Sequence, residues 1–402
     1  MTTKLMAGID LHSNNLFCAI VDQDGQRVFE KKLPCELDKV VQALKPFQKR
    51  LEKIAVESTY NWYWLVDGLQ DHGFAVVLAN PAAMQQYDGL KQADDKSDAF
   101  FLAEMMRLNI LPTGYICERQ WRSVRDLLRR RMGLVQKRTS VILSLKSLHT
   151  RTTGRDLGTG RIKQLTPPEG EKLFRHPADR LITRLDLQLR EELDRSIEEI
   201  ETTILAEVKR LPEYRVLQTL PGVGRILGLT IALETVDPGR FASPGDYASY
   251  CRCVDSRRLS NGKKKGENNS KCGNPYLAWA FVEAANFAQR HDADCRRFYD
   301  RKKAQVNSIV ATKALACKLA KAAWHMMSRN TAYDGGRMFP GPAGGKMAEA
   351  GKGGGSGAVG GPRSGPGPAS PLRVATRGDA NKGSEGRRRR SPGPARSAAR
   401  SG

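Results

Sequence analysis

The chain has 402 residues, with 66 Lys+Arg against 43 Asp+Glu and a formal net charge of +23. Such an excess of cations favours a polyanionic partner, and the isoelectric point sits near 9.8. No apolar run reaches the roughly 18–20 residues that a bilayer requires, and no basic-then-apolar leader precedes the first strand pattern, so the reading is cytoplasmic and nucleic acid is favoured over membrane.

In chain order, "LMAGIDL" (5–11), "LFCAIVD" (16–22) and "VFEKKL" (28–33) read as three strands, the last two joined by a tight turn at "QDGQ". Apolar residues at helical spacing follow over 36–52, then a strand "KIAVEST" (53–59), a helix "NWYWLVDGLQDHG" (61–73) and a strand "FAVVLAN" (74–80). Three antiparallel strands followed by helix, strand, helix, strand is the order of a ribonuclease-H-like (RuvC-like) α/β domain, placed at 1–112. A connector, 113–212, is helical. Its first part, 119–151, is strongly basic and includes Arg129, Arg130 and Arg131. Its second, 178–211, repeats Leu181, Leu185, Leu189, Leu193, Ile197, Ile200, Ile204 and Val208 every three or four residues. That period suggests a coiled-coil seam, either between subunits or within the chain. A mainly α domain is expected over 213–340. Beyond it, 341–402 is rich in Gly, Pro and Arg and is expected to be disordered. The eight cysteines lack zinc-ligand spacing and read as reduced structural thiols.

Negative charge is concentrated at "ADDKSDAFFLAEM" (93–105). On a helix Asp95 and Asp98 share a face, and two carboxylates so close repel unless a cation lies between them. Asp10 sits inside the first strand, where an unpaired charge is costly, and Glu57 ends the fourth. In a ribonuclease-H-like sheet those strands are neighbours. Four carboxylates converging would bind two Mg²⁺ about 4 Å apart and serve phosphodiester chemistry.

A second candidate site lies in the C-terminal domain. "TLPGVGRILGLTIALE" (219–234) has the shape of a helix–hairpin–helix element, with Gly222 and Gly224 in the turn and a helix beginning near Arg225. Amides at such a helix start hold a DNA phosphate without reading sequence. Ser260 follows in a Gly/Asn/Lys-rich loop beside Lys263, Lys264, Lys265 and Lys271, with Ser256 and Ser270 as competitors. A serine becomes a nucleophile only when its proton is taken and the developing charge is stabilised, which lysines and a metal supply at a phosphate.

Together, "GIDLH", "AVEST", the D-x-x-D-A of "DKSDA", "LPGVG", "RLSNGKKKGENNSKCGNPYLAWAFVEAA" and "AYDGGRMF" resemble an insertion-sequence transposase family. It pairs a RuvC-like DEDD domain with a C-terminal serine transposase domain, and includes pilin-gene invertases and bridge-RNA-guided recombinases. The likeness runs from about residue 5 to 339. It implies an acidic tetrad of Asp10, Glu57, Asp95 and Asp98, a catalytic Ser260, Mg²⁺ as cofactor, and site-specific strand exchange through a transient phosphoserine. It also implies donor and target DNA, a structured noncoding guide RNA, a dimer or tetramer, no membrane, and a bacterial, nucleoid-associated setting. The basic helix is then a candidate RNA-binding surface. Asp94, directly before Asp95, departs from the pattern, and the three-residue spacing to Asp98 selects Asp95. The tail after 340 departs from the family as well.

The alternative is a divalent-metal, structure-specific endonuclease of the junction-resolvase kind, which needs no Ser260. A sugar-kinase or actin-like ATPase also begins with "GIDL" but requires a second phosphate loop that the sequence lacks. A non-catalytic nucleic-acid-binding protein would tolerate loss of Asp10 or Asp98.

Overall fold

The structure, a computed structural model, describes residues 4–84, 95–209, 211–254, 257–261, 263–267 and 272–339. For Asp95, for 257–260 and for 263–267 it describes the backbone alone. Asp94, Ser256, Ser270, Lys271 and the tail 341–402 lie outside the described residues.

Strands β1 (Leu5–Leu11), β2 (Asn15–Asp22) and β3 (Arg27–Pro34) form an antiparallel meander. Asp22 Oδ1 closes its second turn by accepting from the amides of Asp24 and Gln26. Helix α1 (Leu37–Leu44), strand β4 (Leu51–Glu57), helix α2 (Tyr63–Asp71) and strand β5 (Val76–Ala79) follow. Helix α1 is shorter than its apolar spacing suggests because Pro46 ends it in a single 3₁₀ turn. Helices α3 (Pro81–Met84) and α4 (Asp95–Arg107) precede a short strand, β6 (Thr113–Gly114), where the sequence reads only as a break. The sheet order is β3-β2-β1-β4-β5-β6, with β4 parallel to both β1 and β5 and the remaining pairings antiparallel. This mixed sheet has the order expected of a ribonuclease-H-like domain, extended by β6 at one edge.

Strand alternation separates the two faces of the sheet. Leu5, Ala7, Ile9 and Leu11 pack with Val40 and Leu44 of α1 and Leu65 and Leu69 of α2. Residues 6, 8 and 10 turn to the other face, which α4 covers through Ala99, Leu102, Ala103 and Met106. Gly8 permits this approach. A Cβ there would stand 2.0 Å from the Ala99 carbonyl oxygen and 2.7 Å from the Ala103 amide nitrogen. Because both are backbone atoms, Gly8→Ala is expected to cost at least about 3 kcal/mol. Urea unfolding checks this, and an unchanged midpoint would contradict the packing.

The helical remainder begins with α5 (Arg119–Thr153), followed by α6 (Thr159–Gln164), α7 (Pro167–Glu171) and α8 (Pro177–Val208). Helices α5 and α8 run antiparallel. Arg131 pairs with Glu201 and Arg138 with Asp194, each at 2.7 Å, while Ile142 and Leu145 meet Leu187. The expected seam on α8 therefore divides. Leu193 and Ile197 pack on Leu134 of α5 in the same chain, and Ile204 and Val208 enter the C-terminal core. Leu181, Leu185 and Leu189 remain about half exposed, together with Ile182.

Helices α9 (Pro212–Leu217), α10 (Arg225–Thr235), α11 (Pro244–Tyr250), α12 (Pro275–His291), α13 (Ala293–Gln305), α14 (Ser308–Arg329) and α15 (Gly335–Met338) build the C-terminal core. Alanines at 280, 284, 285 and 288 on α12 and at 316, 320 and 323 on α14 let these helices pack closely. A hairpin, β7 (Arg257–Ser260) and β8 (Lys263–Glu267), replaces the loop that the sequence suggests around Ser260. All eight cysteines are free thiols. Among the described residues no helix is long and apolar enough to cross a membrane.

Candidate active site and nucleic-acid interface

The acidic site is assembled by register. Ile9 lies beside Val56 in the parallel β1–β4 pair, so Asp10 and Glu57, one step further along, are neighbours on the α4-covered face. Helix α4 brings Asp98 to the same place, one residue before the Ala99 that packs against Gly8. Lys96 on α4 pairs with Glu30 of β3, tying the start of the helix to the far side of the sheet. The backbone of Asp95 opens α4 one turn before Asp98; its side chain lies outside the described residues.

Asp10 is 2% exposed. Burial pushes its carboxyl up to about 7, reinforced by a hydrogen bond with Glu57 and by the charges of Glu57 and Asp98, while His12 acts in the opposite direction. His12 Nε2 stands 3.1 Å from Asp10 Oδ2, a contact that becomes an ion pair when the ring is charged. Asn61 fixes His12 from behind, donating 2.9 Å to its backbone carbonyl and itself receiving the Thr59 hydroxyl. Sequence reasoning passed over His12 and Asn61, although the histidine falls on the same strand alternation as Asp10.

Among the described residues no group of three or more His, Cys, Asp or Glu side chains is placed to hold a metal ion. Asp10 and Glu57 instead share a hydrogen bond, as two adjacent carboxylates do when one holds a proton. The donor chemistry nevertheless suits a hard divalent cation: a buried Asp10 carboxyl whose pKa is raised by burial and by the charges of Glu57 and Asp98. Asp10, Glu57 and Asp98 are brought together, and Asp95 is placed by backbone only.

Ser260 ends β7, opposite Lys263 across a two-residue turn in which Asn261 adopts φ 52°. The side chains of Ser260, Lys263, Lys264 and Lys265 lie outside the described residues, and Lys271 lies wholly outside them. The described segments on either side of this hairpin in sequence are tied to each other. Arg252 donates to the Cys272 and Gly273 carbonyls, and the Asn274 amide to Tyr250 O at 2.7 Å. Asn274 caps α12 and also donates 2.8 Å to the buried Glu234, which Arg129 of α5 grips with two 2.7 Å hydrogen bonds. A chain of polar contacts thus joins the basic helix to the described segments that flank the serine hairpin in sequence.

The sequence-predicted nucleic-acid residues divide in the same way. Arg129 and Arg131 are held by Glu234 and Glu201, and Arg119, Arg122 and Arg138 by Asp71, Asp67 and Asp194. Much of the charge on the basic helix therefore ties α5 to α2, α8 and α10 rather than standing free; Arg130 is exposed. In the turn before α10, Gly222 has φ 77°, and a Cβ there would meet the Ala284 carbonyl oxygen at 2.1 Å, so close packing on α12 accounts for this glycine. Gly224, at the α10 N-cap, faces open space. Arg225 pairs with Glu201 at 2.8 Å while remaining more than half exposed.

A ribonuclease-H-like sheet with acids on β1, β4 and the following helix defines a DEDD-type nucleic-acid-processing domain. The DEDD transposase family model of the IS110 group matches residues 7–152, and the model "Transposase IS116/IS110/IS902 family" matches 214–300. The chain belongs to the IS116/IS110/IS902 family of transposases. It is 25% identical over 240 residues to a putative transposase, y4qE, of Sinorhizobium fredii, covering 56% of this chain and 55% of that one. Over 292 residues it is 24% identical to a probable family 20 transposase of Pseudomonas aeruginosa, covering 70% and 85%. A transposase for insertion sequence element IS1328 of Yersinia enterocolitica is 30% identical over 181 residues, 44% of this chain and 54% of that one. The matched region thus spans about half the length of the Sinorhizobium and Yersinia proteins.

Proposed function

We propose that this chain cuts and rejoins DNA as an insertion-sequence transposase, with Asp10, Glu57, Asp95 and Asp98 holding Mg²⁺ and Ser260 as the nucleophile. The observation that carries this reading is the convergence of Asp10, Glu57 and Asp98 on one face of the sheet, in a family whose named relatives are transposases. Bound Mg²⁺ supplies charge stabilisation at the scissile phosphate and at the oxygens entering and leaving it. The residues' part is to bind and orient. The Ser260 hydroxyl oxygen bonds to phosphorus as the bond to a deoxyribose oxygen breaks, and the serine proton ends on the departing hydroxyl. The same hydroxyl type of a second strand then reverses the exchange. One phosphodiester is traded for another, so no external energy source is needed.

Specificity is assigned to a structured noncoding RNA, with donor and target DNA as the other partners. Exposed Arg130, the open α10 start at Gly224 and Arg225, and the lysines around 263–271 are the sequence-independent phosphate contacts. The test is a denaturing gel of DNA carrying the element's ends, incubated with protein, RNA and Mg²⁺. A covalent protein–DNA adduct is expected; cleavage without an adduct would instead support the metal-dependent endonuclease.

The half-exposed Leu181, Leu185 and Leu189 of α8 are assigned to a homo-oligomeric contact, since α5 leaves them uncovered. The double change Leu185→Glu with Leu189→Glu should lower the mass measured by light scattering to that of a monomer with little change in melting. An unchanged mass would remove this assignment.

A further inference from the structure

A cavity of about 420 Å³ lies between the C-terminal half of α14 and the segment 331–338, within the size range of small-molecule sites. None of its lining residues belongs to the sheet, to α4 or to the serine hairpin. Its walls carry Lys318, Lys321, His325, Arg329 and Arg337 against a single carboxylate, Asp334. That carboxylate is already engaged, capping α15 through the Gly336 and Arg337 amides and pairing with the Arg337 side chain at 3.2 Å. The remaining cations have no lining acid to neutralise them.

The cavity also has a structured interior. Lys318 is held rigid, its ammonium donating 2.9 Å to the Met338 carbonyl and lying over the Phe298 and Phe339 rings. Two buried polar atoms, His325 Nδ1 and Tyr333 Oη, have no hydrogen-bond partner. Burial and Arg329 push the His325 pKa down, and burial foremost pushes Tyr333 up, so at neutral pH the cavity offers a neutral imidazole and a phenolic donor. Met326 and Met338 complete an apolar wall. Cations at an open rim above a half-apolar interior with unmet hydrogen bonds match a phosphate attached to a planar, hydrogen-bonding group. Aromatic and guanidinium planes stack on such groups in single strands. The 341–402 segment is a poor occupant, since its twelve Lys+Arg outnumber its three Asp+Glu.

We propose that this cavity receives one nucleotide of an unpaired nucleic-acid strand, its phosphate held by Lys321 and Arg329 and its base lodged against Tyr333, His325 and Met326. The site lies apart from the acidic cluster and does not depend on strand exchange.

The test uses the full chain without metal, with short oligonucleotides carrying 4-thiothymidine (DNA arm) or 4-thiouridine (RNA arm). Irradiation should attach the probe to the peptide spanning His325–Tyr333, and the arm with the higher yield identifies the strand. Lys321→Glu and Arg329→Glu should each lower that crosslink at least tenfold, whereas Lys45→Glu on α1 and Asp10→Asn should leave it unchanged. Lys321→Gln and Arg329→Gln repeat the test should the reversed charges impair folding. Excess mononucleotide should compete and inorganic phosphate should not. No crosslink on the peptide spanning His325–Tyr333, yields there indifferent to both positions, or competition by phosphate equal to that by nucleotide would each overturn the proposal. Because Asp10→Asn is expected to retain the crosslink, failure here is distinguishable from failure of the acidic site.

Discussion

Replacing Asp10 by asparagine should lower metal-dependent DNA cleavage at least about a hundredfold, and should make the metal-free protein more stable above neutral pH. Both effects follow from a single buried carboxyl. Its pKa in the folded chain is about 7, against an ordinary 3.8, because it is buried beside Glu57 and Asp98. Well below pH 3.8 it is protonated whether folded or not. As pH rises from about 4 through 7, the unfolded chain releases this proton while the folded chain keeps it, and stability falls. The full difference is reached above pH 7. Asparagine carries no charge at any pH, so the variant should lose this decline. The expected record is a wild-type melting temperature in EDTA that drops between pH 5 and 8, and a flatter curve for Asp10→Asn. Mg²⁺ should restore more stability to the wild type at pH 8 than at pH 5, because a cation must displace the shared proton. Identical pH curves for the two proteins would show that Asp10 is not the strained carboxyl.

The second large effect is expected at Ser260. Ser260→Ala should abolish both the covalent adduct and strand transfer while sparing DNA and RNA binding. The change removes one hydroxyl at the end of a hairpin strand, and the flanking segments are tied together without it, by Arg252, Asn274 and Glu234, so melting should match that of the wild type. Peptide mapping of the wild-type adduct decides among Ser256, Ser260 and Ser270. A wild-type adduct yield in Ser260→Ala would overturn the assignment.

The sheet was readable because its strands alternate cleanly and its turns carry Asp and Gly. "GIDL" and "AVEST" therefore placed Asp10 and Glu57 on adjacent strands, and the i, i+3 spacing placed Asp98 on the helix above them. Gly8 was not readable in the same way, since the backbone it accommodates lies some ninety residues further along. The serine hairpin was missed although Asn261-Gly262 is a strong two-residue turn signal, because the flanking "RRLS" and "KKKGE" lack apolar alternation. The period of α8 is the same whether its partner lies in the same chain or another, which left the seam open until α5 was seen against it. The basic helix misled most. Arg129 finds Glu234 across 105 residues, and pairings at such range leave no trace in local composition.

Asp10, Glu57 and Asp98, with Asp95, are expected to form a binding site for a divalent cation. Calorimetric titration of the purified full chain with Mg²⁺ at pH 7.5, repeated on Asp98→Asn, tests it most directly. The account predicts saturable binding by the wild type with proton release, and binding weakened at least tenfold in the variant. Equal affinity and equal proton release in the two proteins would contradict it.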